Sequence, residues 1–279
     1  MTLIAAYSYE PNTTVFVNDF RTSIISESLR FDNAFKFQPL NFGGMFLAGN
    51  VNSWNIIFEK ESTRLNGLES ENFIEELRGI LQDYAFSPTP ILRNSTRLYA
   101  LGFVINKTDQ SNKAFYIDYT QGMGAIVNEL DSNKVYIFGS GADIEGLSEH
   151  LNAAMLNYTS DPLKPAHLKE PYLVADVFEK FISNYIENLK DPSIYERKGI
   201  SNVFAYSFVT KDYFKMCSYS EKKFIKGEKL PKQFTFEKEE SGNIVLKDIT
   251  HNVDSKLSSL DQLDSKGPII IDPFNREKN

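Results

Sequence analysis

The sequence predicts an α+β protein in which two antiparallel sheets pack face to face between helix pairs. Three observations carry this: short β-rich runs come in blocks, each block is followed by two amphipathic helical segments, and a last block of strands closes the order. A parallel α/β sheet would alternate single strands with helices, whereas each sheet here needs an inner and an outer partner to bury two apolar faces.

The first block starts at once. Thr2 to Tyr9 and Thr13 to Asp19 are β-rich and are joined by the turn formers Glu10-Pro11-Asn12, which predicts a hairpin that ties the chain start into a sheet. Thr22 to Leu29, Ala34 to Leu40 and Met45 to Ala48 continue as strands, with Asp32-Asn33 and Asn41 to Gly44 as turns. From Val51 the apolar period lengthens. Trp54, Ile57, Phe58 and Leu65 fit one helical face and Phe73, Leu77, Ile80, Leu81 and Tyr84 a second, giving helices over 51–66 and 70–85.

Arg97 to Asn106, Lys113 to Asp118, Met123 to Val127 and Lys134 to Phe138 form the second block. Gly139-Ser140-Gly141 breaks it and leads to helices over Ile144 to Asn157 and Tyr172 to Leu189. Ser201 to Thr210 and Tyr213 to Ser218 return as strands that complete the domain over residues 1–220. Residues 221–279 are a charged C-terminal extension with a β-hairpin from Gln233 to Phe236 and Asn243 to Lys247, then a tail whose Pro268 to Pro273 run is apolar and suited to docking.

Composition narrows the function classes. The 279 residues, 42% hydrophobic and 24% charged, suffice for one large domain. A net charge of −7 and a pI near 5.2 argue against nucleic acid as a partner, because phosphate binding needs a concentrated basic face. Cys217 is the only cysteine, and His150, His167 and His251 lie far apart, so neither a disulfide framework nor a dedicated metal site is expected, and no cofactor is implied. With no basic leader and no apolar run of about 18 residues, the expectation is a cytoplasmic protein that avoids membranes. The Asn-x-Ser/Thr triplets at Asn12, Asn94, Asn106 and Asn157 are then incidental.

Five positions carry chemistry. If Met1 is removed, Thr2 holds a hydroxyl nucleophile and a free amine that can accept the hydroxyl proton, so nucleophile and base share one residue. Asp19 ends the second strand, and Arg21 shares its side-chain parity. Lys36 stands between Phe35 and Phe37, on the opposite side of a strand from both. Beside Asp19, its ammonium would lower the pKa of the Thr2 hydroxyl or amine. Gly49 closes an apolar strand before a helix, and Ser140 sits in a small-residue turn. Taken singly, each has an ordinary explanation: an edge-strand Thr, a strand-end carboxylate, an exposed Lys, a junction Gly and a turn Ser.

In this order and at this spacing, Thr2, Asp19-Phe20-Arg21, Lys36 and Ala48-Gly49 resemble the start of proteasome β-subunits and their bacterial relatives, with about one extra residue in the first hairpin. The resemblance spans residues 2 to 210 and is patchy after 60. It implies an N-terminal nucleophile (Ntn) hydrolase in the four-layer αββα sandwich, with Thr2 attacking an amide, Asp19 and Lys36 tuning it, and the Gly49 N–H holding the oxyanion. It also implies that the Ser140 hydroxyl lies near the Thr2 amine, that the substrate is a peptide or another amide, and that copies close into a homo-oligomeric ring.

The sequence departs from the family after Gly49, at Asn50-Val51-Asn52-Ser53, and in the broken spacing of Asp191-Pro192-Ser193 and Gly199-Ile200-Ser201. A catalytically inactive scaffold subunit of the same architecture, marked by retained Met1, and an unrelated β-rich binding module are the alternatives.

Overall fold

The computed structural model describes residues 2–19, 22–24, 29–31, 37–40, 42–69, 71–87, 92, 96–106, 108–191, 193–221, 234–238, 244–248 and 253–257. Over these residues the chain is α+β, with two five-stranded antiparallel sheets and a set of helices.

The first sheet opens with β1 (Leu3–Glu10) and β2 (Thr13–Asp19), a hairpin whose turn residue Asn12 takes a positive φ of 62°. Asn tolerates that left-handed conformation better than most residues, which is why the turn sits there. The predicted strand Thr22 to Leu29 is instead divided between β3 (Thr22–Ile24) and β4 (Leu29–Phe31), which pair with each other as a separate two-stranded ribbon. The intervening Ile25-Ser26-Glu27-Ser28 holds no Gly, Pro, Asn or Asp to signal a reversal. Next come β5 (Phe37–Leu40) and β6 (Gly43–Gly49), which begin the second sheet.

Gly43 and Gly44, expected in a turn, lie inside β6. A Cβ on Gly43 would collide with the Phe103 carbonyl, and one on Gly44 with the Phe37 ring, so these glycines serve close packing within the sheet.

Helices α1 (Val51–Asn66) and α2 (Phe73–Ala85) follow, α2 starting three residues later than the periodicity suggests. Then β7 (Arg97–Asn106), β8 (Ser111–Thr120) and β9 (Gly124–Glu129) complete the second sheet in the order β5-β6-β7-β8-β9. The strand β10 (Lys134–Gly139) returns to the first sheet beside β1. A 3₁₀ turn over Ser140–Asp143 delays α3 to Leu147–Ser160, and α4 spans Pro171–Glu187 with Pro171 in its first turn, where its missing N–H costs nothing. A short helix that periodicity could not reveal, α5 (Ile194–Arg197), precedes β11 (Val203–Val209) and β12 (Phe214–Glu221), which finish the first sheet as β10-β1-β2-β11-β12.

Beyond it, β13 (Phe234–Lys238), β14 (Ile244–Asp248) and β15 (Val253–Leu257) form a three-stranded meander. The expected hairpin thus gains a third strand, which polar Asp254, Ser255 and Lys256 disguised. The apolar Pro268 to Pro273 run lies outside the described residues.

Strand alternation sorts the side chains into three apolar clusters. Leu3, Ala5, Tyr7, Val15 and Val17 pack with Leu151, Met155, Phe178 and Ile182 of α3 and α4. Their strand neighbours Ile4, Ala6 and Phe16 join Phe46, Leu101 and Phe103 of the second sheet. On the other face of that sheet, Met45, Leu47, Ala100 and Ile117 pack with Trp54, Ile57, Leu77 and Leu81 of α1 and α2. Between the sheets the aromatic rings interlock: Phe214 stacks on Phe103 at 4.7 Å and on Phe37 at 5.1 Å.

The apolar residues of α1, Ile56 among them, are occupied within the chain. Trp54 and Phe58 stack at 5.5 Å, Ile57 is fully buried, and Ile56 packs against the same cluster. An oligomer therefore gains no support from this helix.

Candidate functional site

Thr2 immediately precedes β1 and is 1% exposed. Its backbone is gripped on one side by the β10 turn: Leu3 pairs with Gly139, and the Gly141 N–H donates to the Thr2 carbonyl at 3.4 Å. Gly139 has a φ of 78° and lies so close to Thr2 that a Cβ there would strike the Thr2 carbonyl, so only glycine serves at this position. Ser140 sits between these two glycines, partly buried, as the first residue of the 3₁₀ turn. Ser140 thus adjoins Thr2 through its backbone neighbours Gly139 and Gly141.

Asp19, the last residue of β2, is also 1% exposed. The Thr2 hydroxyl donates to its Oδ1, which also accepts the Leu3 N–H at 3.0 Å. The Ser201 N–H donates to Oδ2 at 2.9 Å. Three donors therefore converge on this buried carboxylate, two from the start of β1 and one from the approach to β11.

The resemblance cast Asp19 as the partner of Lys36; the geometry gives it a direct bond to the nucleophile candidate as well. Lys36 and Arg21 lie outside the described residues.

Ser201 was set aside because its spacing from Asp191 departs from the family. It reaches the site through its backbone, while its Oγ accepts the Val203 N–H at 2.8 Å and shapes the entry to β11. Backbone donors leave no side-chain signature, and only the pairing of β11 with β2, Phe204 opposite Asp19, reveals this one. Asp191 and Ser193 serve elsewhere: the Ser193 N–H and the Arg197 guanidinium both donate to Asp191, at 3.2 and 2.7 Å, in an exposed cluster around α5. The Ser193 hydroxyl also donates to Asp191, at 2.5 Å, and the side-chain bonds, from Ser193 first and Arg197 second, hold the Asp191 carboxyl below its usual range.

Gly49 ends β6 with a φ of 99°, and a Cβ there would lie 2.9 Å from the Arg97 carbonyl. The junction is fixed from both sides. Asn50 caps α1 by accepting the Ser53 N–H at 3.1 Å, and the Trp54 indole donates to the Ala48 carbonyl at 3.0 Å.

Gly49 and Thr2 occupy the same end of the layer between the sheets. Ile4 pairs with Phe138, Phe138 stacks on Tyr99 at 5.4 Å across the layer, and Tyr99 pairs with Ala48. One residue from Ala48 and two from Ile4 lead to Gly49 and Thr2.

Among the described residues no group of three His, Cys, Asp or Glu side chains could hold a metal ion, and no helix is long and apolar enough to cross a membrane. A cavity of about 340 Å³ lies beside the start of α2, lined by Glu71, Phe73, Arg78, Lys113 and Glu129. Its lining includes none of the five candidate residues. No protein-family model matches the chain, and no curated protein matches it either.

Proposed function

We propose that the protein is a threonine-type N-terminal nucleophile amidohydrolase that cleaves peptide bonds, folded as the four-layer αββα sandwich of the proteasome-like family. The observation that carries the reading is the bond from the Thr2 hydroxyl to buried Asp19, at the two positions that the resemblance assigns to nucleophile and acid. The architecture is supported by the three apolar clusters, one between the sheets and one under each helix pair.

In the proposed mechanism Met1 is removed and the freed Thr2 amine accepts the hydroxyl proton as Oγ1 attacks the substrate carbonyl. Asp19 holds the hydroxyl in place at the start of β1. The resemblance assigns Lys36 the supply of positive charge, and the Gly49 N–H receives the oxyanion. Ser140 steadies the amine from the β10 turn. As the tetrahedral intermediate collapses, the C–N bond breaks and the leaving amine takes the proton from the Thr2 ammonium. The acyl ester on Oγ1 is then hydrolysed by a water molecule that gives its proton to the same amine, which restores the hydroxyl.

One observation favours a second reading, a catalytically inactive scaffold subunit of the same architecture. Thr2 is almost fully buried, and its hydroxyl is already engaged by Asp19.

Hydrolysis of a peptide panel by the wild type and by Thr2→Ala separates the two. The amidohydrolase reading expects turnover that Thr2→Ala abolishes, with a residual rate at least about a thousandfold lower. Equal activity in both proteins, or none in either, contradicts it.

A further inference from the structure

The end of the layer that holds Gly49 also carries a cation. β7 starts at Arg97, and Leu98, fully buried, packs among the residues facing α1 and α2. Alternation therefore turns Arg97 and Tyr99 toward the first sheet, and the stacking of Tyr99 on Phe138 fixes that direction. Arg97 lies two residues beyond Tyr99 toward the strand end where Gly49 pairs with Leu98. Its own carbonyl is the atom that a Cβ on Gly49 would meet at 2.9 Å.

Arg97 is exposed, and among the described residues its guanidinium forms neither a hydrogen bond nor an ion pair. The acid that senses it is Asp118, opposite Tyr99 in the β7–β8 register and half-buried, beyond ion-pair distance. Burial pushes the Asp118 carboxyl above its ordinary range against the pull of Arg97. A guanidinium that has no ion pair among the described residues, on the residue whose backbone adjoins Gly49, offers planar donors to a carboxylate on the substrate.

We propose that Arg97 is a specificity-determining residue that selects amide substrates carrying a carboxylate close to the scissile bond. This rests on the amidohydrolase reading, which brings the reacting carbonyl to Gly49. An acidic side chain on the acyl side of the bond then meets Arg97, and a basic one is repelled.

The test is hydrolysis of matched peptides with Glu, Gln or Lys at each of the three residues on the acyl side. The wild type is expected to favour Glu over Lys by about tenfold or more at one of these positions, the scale of a partly exposed charge pair together with the loss of a repulsion. Arg97→Ala collapses that ratio, and Arg97→Glu reverses it. Thermal unfolding checks that both variants fold. Cleavage without charge discrimination, or a ratio that survives in Arg97→Ala, overturns the role of Arg97 while leaving the hydrolase intact. Cleavage of no peptide overturns both.

Discussion

Asp19 shows how a single carboxylate joins the site to the fold. It collects donors from Thr2, Leu3 and Ser201, so the start of β1, the end of β2 and the entry to β11 are held to one point. Asn in its place keeps one acceptor oxygen and presents an amide N–H₂ to donors that need an acceptor. Asp19→Asn is therefore expected to lower stability by about 1–3 kcal/mol, as for a buried donor left unpaired. It is also expected to lower kcat by at least about a hundredfold, because the Thr2 hydroxyl loses its orienting partner. Denaturant unfolding and peptide turnover measure the two effects, and a stable, fully active variant would show that Asp19 serves neither role. Thr2 and Asp19 were legible in the sequence as candidates because the bond that joins them runs between side chains. The role of Ser201 was not, since a backbone N–H acts without a distinctive side chain.

The elements follow the sequence wherever periodicity is strong, and depart from it where one residue type serves two ends. The α1 and α2 faces through Trp54 and Leu77 and the apolar run of β7 were readable, since burial in packed layers enforces those patterns. Gly43 and Gly44 misled because glycine marks both a turn and a place where another backbone or ring comes close; only the pairing of β6 with β5 and β7 distinguishes these uses. The splitting of Thr22 to Leu29 into β3 and β4 was hidden for the converse reason, a reversal without Gly or Pro. Gly43→Ala sets the added methyl against the Phe103 carbonyl in the β6–β7 pairing. It is expected to cost about 1–3 kcal/mol or more, the range for forcing an extra carbon into a packed interior. Thermal unfolding measures this, and an unchanged midpoint would return Gly43 to the role of a turn residue.

At the scale of the whole molecule, we propose that copies of the chain assemble into a closed homo-oligomer. The proposal rests on the family resemblance and on apolar residues left at the surface around the α3–α4 connection, where Leu163 is 90% exposed, Tyr172 52% and Leu156 44%. Light scattering at micromolar concentration is expected to give a multiple of the 31.8 kDa chain mass; a monomer would refute assembly without touching the chemistry. The proposed chemistry depends on a free Thr2 amine. An amide nitrogen at that position cannot accept the hydroxyl proton, so the mechanism requires cleavage of the Met1–Thr2 bond. The most direct measurement is the intact mass of protein from its native host before and after treatment with a peptidyl β-lactone, an electrophile that acylates an activated hydroxyl. The account predicts a chain lighter by one methionine residue that gains a single acyl group, mapped by fragmentation to Thr2. A chain that retains Met1 and stays unmodified would contradict it.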